Sequence, residues 1–207
     1  MLCLRAPTDS AWAVEAVKDL DSVLIDHAHC EMKAATNAMS LVVRHSSSFS
    51  LVRALTALAR EELEHFERVV AFLEARGLSL GPPPVDEYAA ELRRVIHARK
   101  RPADAAGELP LVVDRLLVGA LIEARSCERF KLLLQALPAD CPADLRAFYE
   151  ELFVAEARHY REYVDLAIEA AGPLGHLVEA RLDELAEEEA RIVRSLASRE
   201  SRGTVHG

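Results

Sequence analysis

Apolar residues recur along this chain at helical spacing, and Gly and Pro interrupt it only at a few places. From Ser10 to His45 there is neither Gly nor Pro, and Val17, Leu24, Glu31 and Ala38 follow one another every seven residues. Ser10 is the expected N-cap, and the run from Ser46 to Ser50 ends the pattern. A second helix is predicted from Leu51 to Arg76, stopping at Gly77. Its apolar stripe reads Leu55, Leu58, Glu62, His65, Val69, Phe72. After three consecutive prolines, a short basic amphipathic helix is expected over Asp86 to Arg99, then a loop over Pro102 to Pro110. A third long helix runs from Leu111 to Leu137, with Val113, Leu116, Ala120, Glu123, Cys127, Phe130 and Leu134 at 3–4 spacing. The fourth, Ala143 to Ala171, carries Leu145, Phe148, Leu152, Glu156, His159, Tyr163 and Leu166 and is closed by Gly172 and Pro173. A last, strongly charged helix is predicted from Gly175 to Ser198, ahead of a short tail.

No strand-like alternation of useful length competes with this pattern, so the fold class is all-α. Four long helices with a long crossover between the second and third match a ferritin-like four-helix bundle with an additional C-terminal helix. The expected layout is a single domain over 1–207. The bundle covers about 10–172, the C-terminal helix 173–199 and the tail 200–207.

The same helices contain a weak repeat. Glu62 and His65 are one ExxH pair, Glu156 and His159 another, and each is followed within a few turns by a helix-ending Gly. Glu31 and Glu123 stand 31 and 33 residues upstream of Glu62 and Glu156. The chain reads as two copies of a helix pair. Residues three apart lie on one helix face, so each ExxH directs a carboxylate and an imidazole the same way. Together the two copies offer four carboxylates and two imidazoles, the ligand set of a dinuclear iron or manganese site inside a bundle. In all four helices the acidic residue sits where a core residue belongs, and buried carboxylates need a compensating cation. Glu128 is the rival to Glu123, but its stripe contains Asp114 and Gln135, which favours Glu123.

Other polar residues near the motifs are read more plainly. Glu61 and Glu64 lie off the stripe and are expected either in solvent or behind the ligands as supporting groups. His27 and His29 flank Glu31 and stay open between a supporting role and a surface one, while Cys127 is expected as a small core residue. Tyr160 and Tyr163 are expected to pack, and the C-terminal charge run is expected as a solvated face.

Composition narrows the function. The chain of 207 residues is 51% hydrophobic and only 5% aromatic, which suits a helical core and excludes a disordered chain. Its net charge of −9 excludes a general polyanion-binding surface. Cys3, Cys30, Cys127 and Cys141 form no CxxC pair, so a zinc ribbon, a rubredoxin-type iron site and a thioredoxin motif are absent. No secretory signal and no membrane span are apparent, and a cytoplasmic location is expected.

The strings LIDHAHCEMKAATNAMSL, LAREELEHFERV, LLVGALIEARSCERFKLL and EARHYREYVDLA resemble the MiaE-type tRNA hydroxylases over about residues 10–195. That resemblance implies a nonhaem diiron monooxygenase. It would hydroxylate the isopentenyl group of 2-methylthio-N6-isopentenyladenosine next to the anticodon of tRNA, using O2 and external electrons. Carried over by position, the metal ligands and catalytic set are Glu31, Glu62, His65, Glu123, Glu156 and His159, with Glu62 and Glu156 bridging two iron ions; manganese is the alternative metal. The resemblance also implies tRNA as substrate and a separate reductase as partner, since no flavin or iron–sulfur motif is present. The oligomeric state is open. Phosphate contacts would come from Arg93, Arg94, Arg99, Lys100 and Arg101, with Arg125 and Arg129 as additions. A ferroxidase, an iron-binding protein or a rubrerythrin-related peroxidase is the competing reading.

Overall fold

The computed structural model describes residues 2–99 and 107–197. Helices account for nearly all of it. They are α1 (Ser10–Ala16), α2 (Leu20–Arg44), α3 (Phe49–Ala75), α4 (Glu87–Ala98), α5 (Leu111–Ala136), α6 (Ala143–Ala171) and α7 (Val178–Ala197), and no strand occurs among the described residues. No helix is long and apolar enough to cross a membrane. The loop residues 102–106, Ser198 and the tail 200–207 anticipated from sequence lie outside the described residues.

Local chemistry explains the boundaries, and it corrects three of them. The first long helix is broken by a 3-10 turn at Val17–Asp19, after which the Asp19 carboxylate accepts from the Ser22 backbone N–H at 3.1 Å and starts α2. The start of α1 is capped by Asp9, whose carboxylate accepts from Ala11 N–H at 2.9 Å, and not by Ser10. Ser48 and Asp86 cap α3 and α4. At the end of α3, Leu78 N–H donates to Leu73 and Gly77 N–H to Glu74, both at 3.0 Å, with Gly77 at φ +67°. That is the left-handed turn for which Gly is suited. Beyond α6, residues Gly172–Leu177 form a 3-10 turn, so α7 starts at Val178 and not at Gly175.

The chain divides into two compact units, with the boundary inside α1. In the unit of residues 15–85, α2 and α3 pair as a hairpin over Leu24, Ala28, Ala38, Leu55, Leu58 and Val69, all nearly inaccessible. A second anchor lies at its far end. The His29 ring donates from Nε2 to the Leu80 carbonyl at 3.1 Å, which ties the start of the proline-rich connection to α2.

In the unit of residues 2–14, 86–99 and 107–197, α5 and α6 form the second hairpin, and α4 and α7 pack on α5. Close approach of α5 and α6 depends on Gly119, where an added Cβ would sit 2.7 Å from the Tyr163 ring. Helix α5 is therefore covered on several sides, and three of its charged residues, Asp114, Arg125 and Glu128, are paired inside. Arg125 is fully buried and donates from Nη2 to both Glu189 oxygens at 2.7 and 2.9 Å and to the Ala6 carbonyl at 2.9 Å; its Nη1 ion-pairs with Glu128. Tyr88 donates its hydroxyl to Glu189 at 2.9 Å, and Thr8 donates its hydroxyl to Glu128 at 2.7 Å. One guanidinium thus joins the N-terminal segment, α5 and α7, and Glu189 extends the network to Tyr88 of α4. Arg181 of α7 similarly holds Asp114 of α5 at 2.8 and 3.1 Å.

Two packing predictions follow from these contacts. Gly119→Ala forces its methyl into the buried Tyr163 ring and is expected to lower the unfolding free energy by about 1–3 kcal/mol in a urea titration. Glu189→Ala leaves Arg125 buried with one carboxylate fewer, and an expected loss of ~3–5 kcal/mol is readable in the same titration. A midpoint unchanged from wild type in either variant would contradict the packing described.

Candidate functional site

In the α2–α3 hairpin, helical phase turns Glu31, Glu62 and His65 inward, and all three are buried. One ligand atom from each lies within 4.8 Å of the others. His65 Nδ1 stands 3.6 Å from Glu31 Oε2 and 3.5 Å from Glu62 Oε2. Behind Glu31, the buried His27 ring donates from Nε2 to Oε1 at 2.6 Å. His27 thus belongs to the site as the group that orients Glu31. Its i, i+4 relation to Glu31 was visible in the sequence, but its direction was not.

The electrostatics of this group follow from burial. Desolvation alone would raise the Glu31 carboxyl, but hydrogen bonds from His27 and His65 outweigh it and hold Glu31 well below its ordinary range. Desolvation would likewise lower His65, but the Glu31 and Glu62 carboxylates dominate and raise it to about 10. Two buried carboxylates demand positive charge, and in the metal-free chain a proton on His65 supplies part of it. Oxygen donors with one imidazole suit iron or manganese, so the donor chemistry fits a divalent cation.

In the α5–α6 hairpin, Glu123, Glu156 and His159 are also buried, at 4%, 3% and 0% exposure. Ligand atoms of Glu123 and His159 lie within 4.8 Å of one another. Glu128, the rival, is instead occupied by Arg125 and Thr8. Cys127 donates its thiol toward the Phe153 carbonyl at 3.6 Å, and burial pushes that thiol up to about 11. It remains a protonated packing group, as expected. Tyr163 packs on Gly119; Tyr160 is half-buried and hydrogen-bonded with Cys3.

Among the residues off the stripe, Glu64 is exposed as expected, while Glu61 is partly covered and 3.9 Å from His65 Nε2. The arginine expectations need correction. Arg125 is wholly buried, and Arg129 is 8% exposed with its guanidinium over the Trp12 ring at 5.3 Å, so neither contributes to a surface patch. Arg93 and Arg94 are exposed, Arg94 being ion-paired with Glu91. Arg99 is partly covered with Nη1 3.8 Å from Asp114, and Lys100 and Arg101 lie outside the described residues. The C-terminal charge run is not wholly a solvated face either, because Glu189 is buried. Its phase with Leu182, Leu185 and Ala186 was the available signal.

Comparison with known proteins places these residues in context. The family model described as tRNA-(MS[2]IO[6]A)-hydroxylase (MiaE) matches residues 1–202. A tRNA 2-(methylsulfanyl)-N(6)-isopentenyladenosine(37) hydroxylase of Pseudomonas putida is 42% identical, over 79% of this chain and 74% of that protein. A protein of the same name from Salmonella typhimurium is 29% identical over the same shares. Among solved structures, "Protein 43 with aldehyde deformylating oxygenase activity from Synechococcus" superposes with a TM-score of 0.83 at 38% identity, covering 100% of this chain and 96% of that one. The fold class is thus the ferritin-like all-α one anticipated from the helix pattern, with a long crossover and an additional C-terminal helix.

Two outcomes are expected from the α2–α3 group. His27→Ala removes the donor that orients Glu31 and should weaken metal affinity by about 10–100-fold in a chelator competition. In the metal-free protein, His65 is raised from 6.5 to about 10 on folding. Its contribution is therefore complete below the unfolded value and is lost as pH climbs through the folded one. Thermal melts of the metal-free chain should show wild type losing stability over that alkaline range and His65→Gln losing less.

Proposed function

The chain belongs to the MiaE family of tRNA hydroxylases, and from that premise we propose that Glu31, Glu62, His65, Glu123, Glu156 and His159 hold two iron ions for hydroxylation of 2-methylthio-N6-isopentenyladenosine in tRNA. The observation that carries this reading is the duplication: each helix hairpin buries one lone Glu and one ExxH pair. Two carboxylates and an imidazole per hairpin balance one divalent cation each, with manganese as the alternative metal.

When bound, a pair of ferrous ions would supply the activation of O2 that insertion into an allylic C–H bond of the isopentenyl group requires. The chain's own residues do the rest. Four carboxylates neutralise the cations, and His65 and His159 give each a nitrogen donor. His27 keeps the Glu31 carboxylate oriented while its own ring stays out of the ligand set. Exposure of no more than 4% at all six positions keeps water from competing with the substrate.

External electrons are needed, and with no CxxC or flavin motif a separate reductase is the expected partner. A tRNA substrate supports a cytoplasmic site of action.

The test uses metal-loaded protein, a chemical reductant, O2 and tRNA that carries the unhydroxylated base, with nucleosides quantified by mass spectrometry. Wild type should form the hydroxylated nucleoside. Glu62→Ala and His159→Ala should lose about a hundredfold or more of turnover, bind less metal and keep helical circular dichroism. Failure of wild type to form the product, or full activity in both variants, would refute the reading.

A further inference from the structure

We propose that the tip of the α2–α3 hairpin is an RNA-contact surface, in which Phe49 stacks on an unpaired base while Arg44 and Arg53 neutralise adjacent phosphates. This rests on the tRNA reading above and assigns it a surface other than the α4 arginines.

Charge supplies the first argument. Between Glu31 and Glu61 there is no acidic residue, yet the interval contains Lys33, Arg44, Arg53 and Arg60, in a chain whose net charge is −9. A local excess of cations on an acidic body is the electrostatic footprint of a polyanion partner. Arg44, Arg53 and Arg60 are all exposed, and Arg44 donates only locally, from Nε to the Ser40 hydroxyl at 3.3 Å. By contrast, residues 86–99 contain Asp86, Glu87 and Glu91 against Arg93, Arg94 and Arg99, which leaves α4 with no net positive charge.

The second argument is aromatic. Phe49 is 72% exposed, and among the described residues it is the one Phe, Tyr or Trp side chain that is exposed; the others are buried or partly covered. It opens α3, with Arg53 one turn on along the same face. Met39 and Val43, also exposed, stand one turn apart near the end of α2. Ser46 and Ser47 in the connecting turn add exposed hydroxyl donors. A ring in solvent beside guanidinium groups is costly for a free surface but matches single-stranded RNA, whose bases stack on aromatics and whose phosphates take arginines.

Reach supplies the third. Phe49 precedes Glu62 by thirteen residues on one helix, which is about 20 Å at 1.5 Å per residue. Nucleotides a few steps along the strand from a base held at Glu62 would come level with the tip.

The test is tRNA binding to the metal-loaded full chain, followed by fluorescence anisotropy at several salt concentrations, for wild type, Phe49→Ala, Arg44→Gln/Arg53→Gln and Arg93→Gln. Metal content and circular dichroism confirm that each variant is folded. Phe49→Ala should raise Kd about tenfold. The double arginine variant should also raise Kd and flatten the log Kd against log salt slope by about 1.4, two phosphates at ~0.7 each. Arg93→Gln should stay within about twofold of wild type.

A Kd within twofold of wild type for both tip variants overturns the inference. So does the finding that Phe49→Ala only dissociates an oligomer in sedimentation, which would make the tip a contact between copies. If wild type binds tRNA through the tip yet forms no hydroxylated product, the functional reading fails and the RNA surface stands.

Discussion

Buried negative charge is the constraint on which this molecule depends. Among the described residues, Glu31, Glu62, Asp114, Glu123, Glu128, Glu156 and Glu189 are all withdrawn from water. An isolated carboxylate in such a place would take up a proton or unfold its surroundings. Each must therefore meet positive charge or strong donors, and the way each one does so separates scaffold from chemistry.

Arginine answers three of them. Asp114 is held by Arg181, and Glu128 and Glu189 by Arg125. A guanidinium is permanently charged and forms forked hydrogen bonds, so these ion pairs are closed and lock α7, α4 and the N-terminal segment onto α5. Three of the others stand near imidazole, Glu62 with its Oε2 3.5 Å from His65 Nδ1. Glu31 lies between His27 and His65, and Glu123 lies within ligand distance of His159. Imidazole can surrender its proton and coordinate a metal, which arginine cannot. The same burial thus produces an inert clamp in one place and, in another, a cluster whose donors could hold a cation.

The division also orders stability against function. In the α2–α3 hairpin without metal, His65 carries the proton that Glu31 and Glu62 require. A metal held there would replace that proton by a cation of higher charge, which would couple binding to pH. The Arg125 clamp is independent of that exchange. It holds α5 in register whether or not Glu123 has a cation nearby.

Sequence by itself determined the long helices and nearly all their ends, because Gly77, Gly172, the prolines and helical phase are local signals. It also offered the six candidate ligands, since an acidic residue within an apolar stripe is legible from helical spacing, and the duplication of Glu with ExxH repeats the signal. Tertiary structure decided the fate of the opposite faces. On α5 the pattern could show which side pairs with α6, but not that α4, α7 and residues 6–8 cover the rest. For that reason Arg125 and Arg129 read as surface cations when they are buried, and Glu189 as one more solvated acid. His27 was ambiguous for a related reason: phase brings it one turn from Glu31, but only the packed rotamer shows its Nε2 donating to that carboxylate. Phase is a property of one helix, whereas burial of a second face is a property of what else packs there, and that partner lies tens of residues away along the chain.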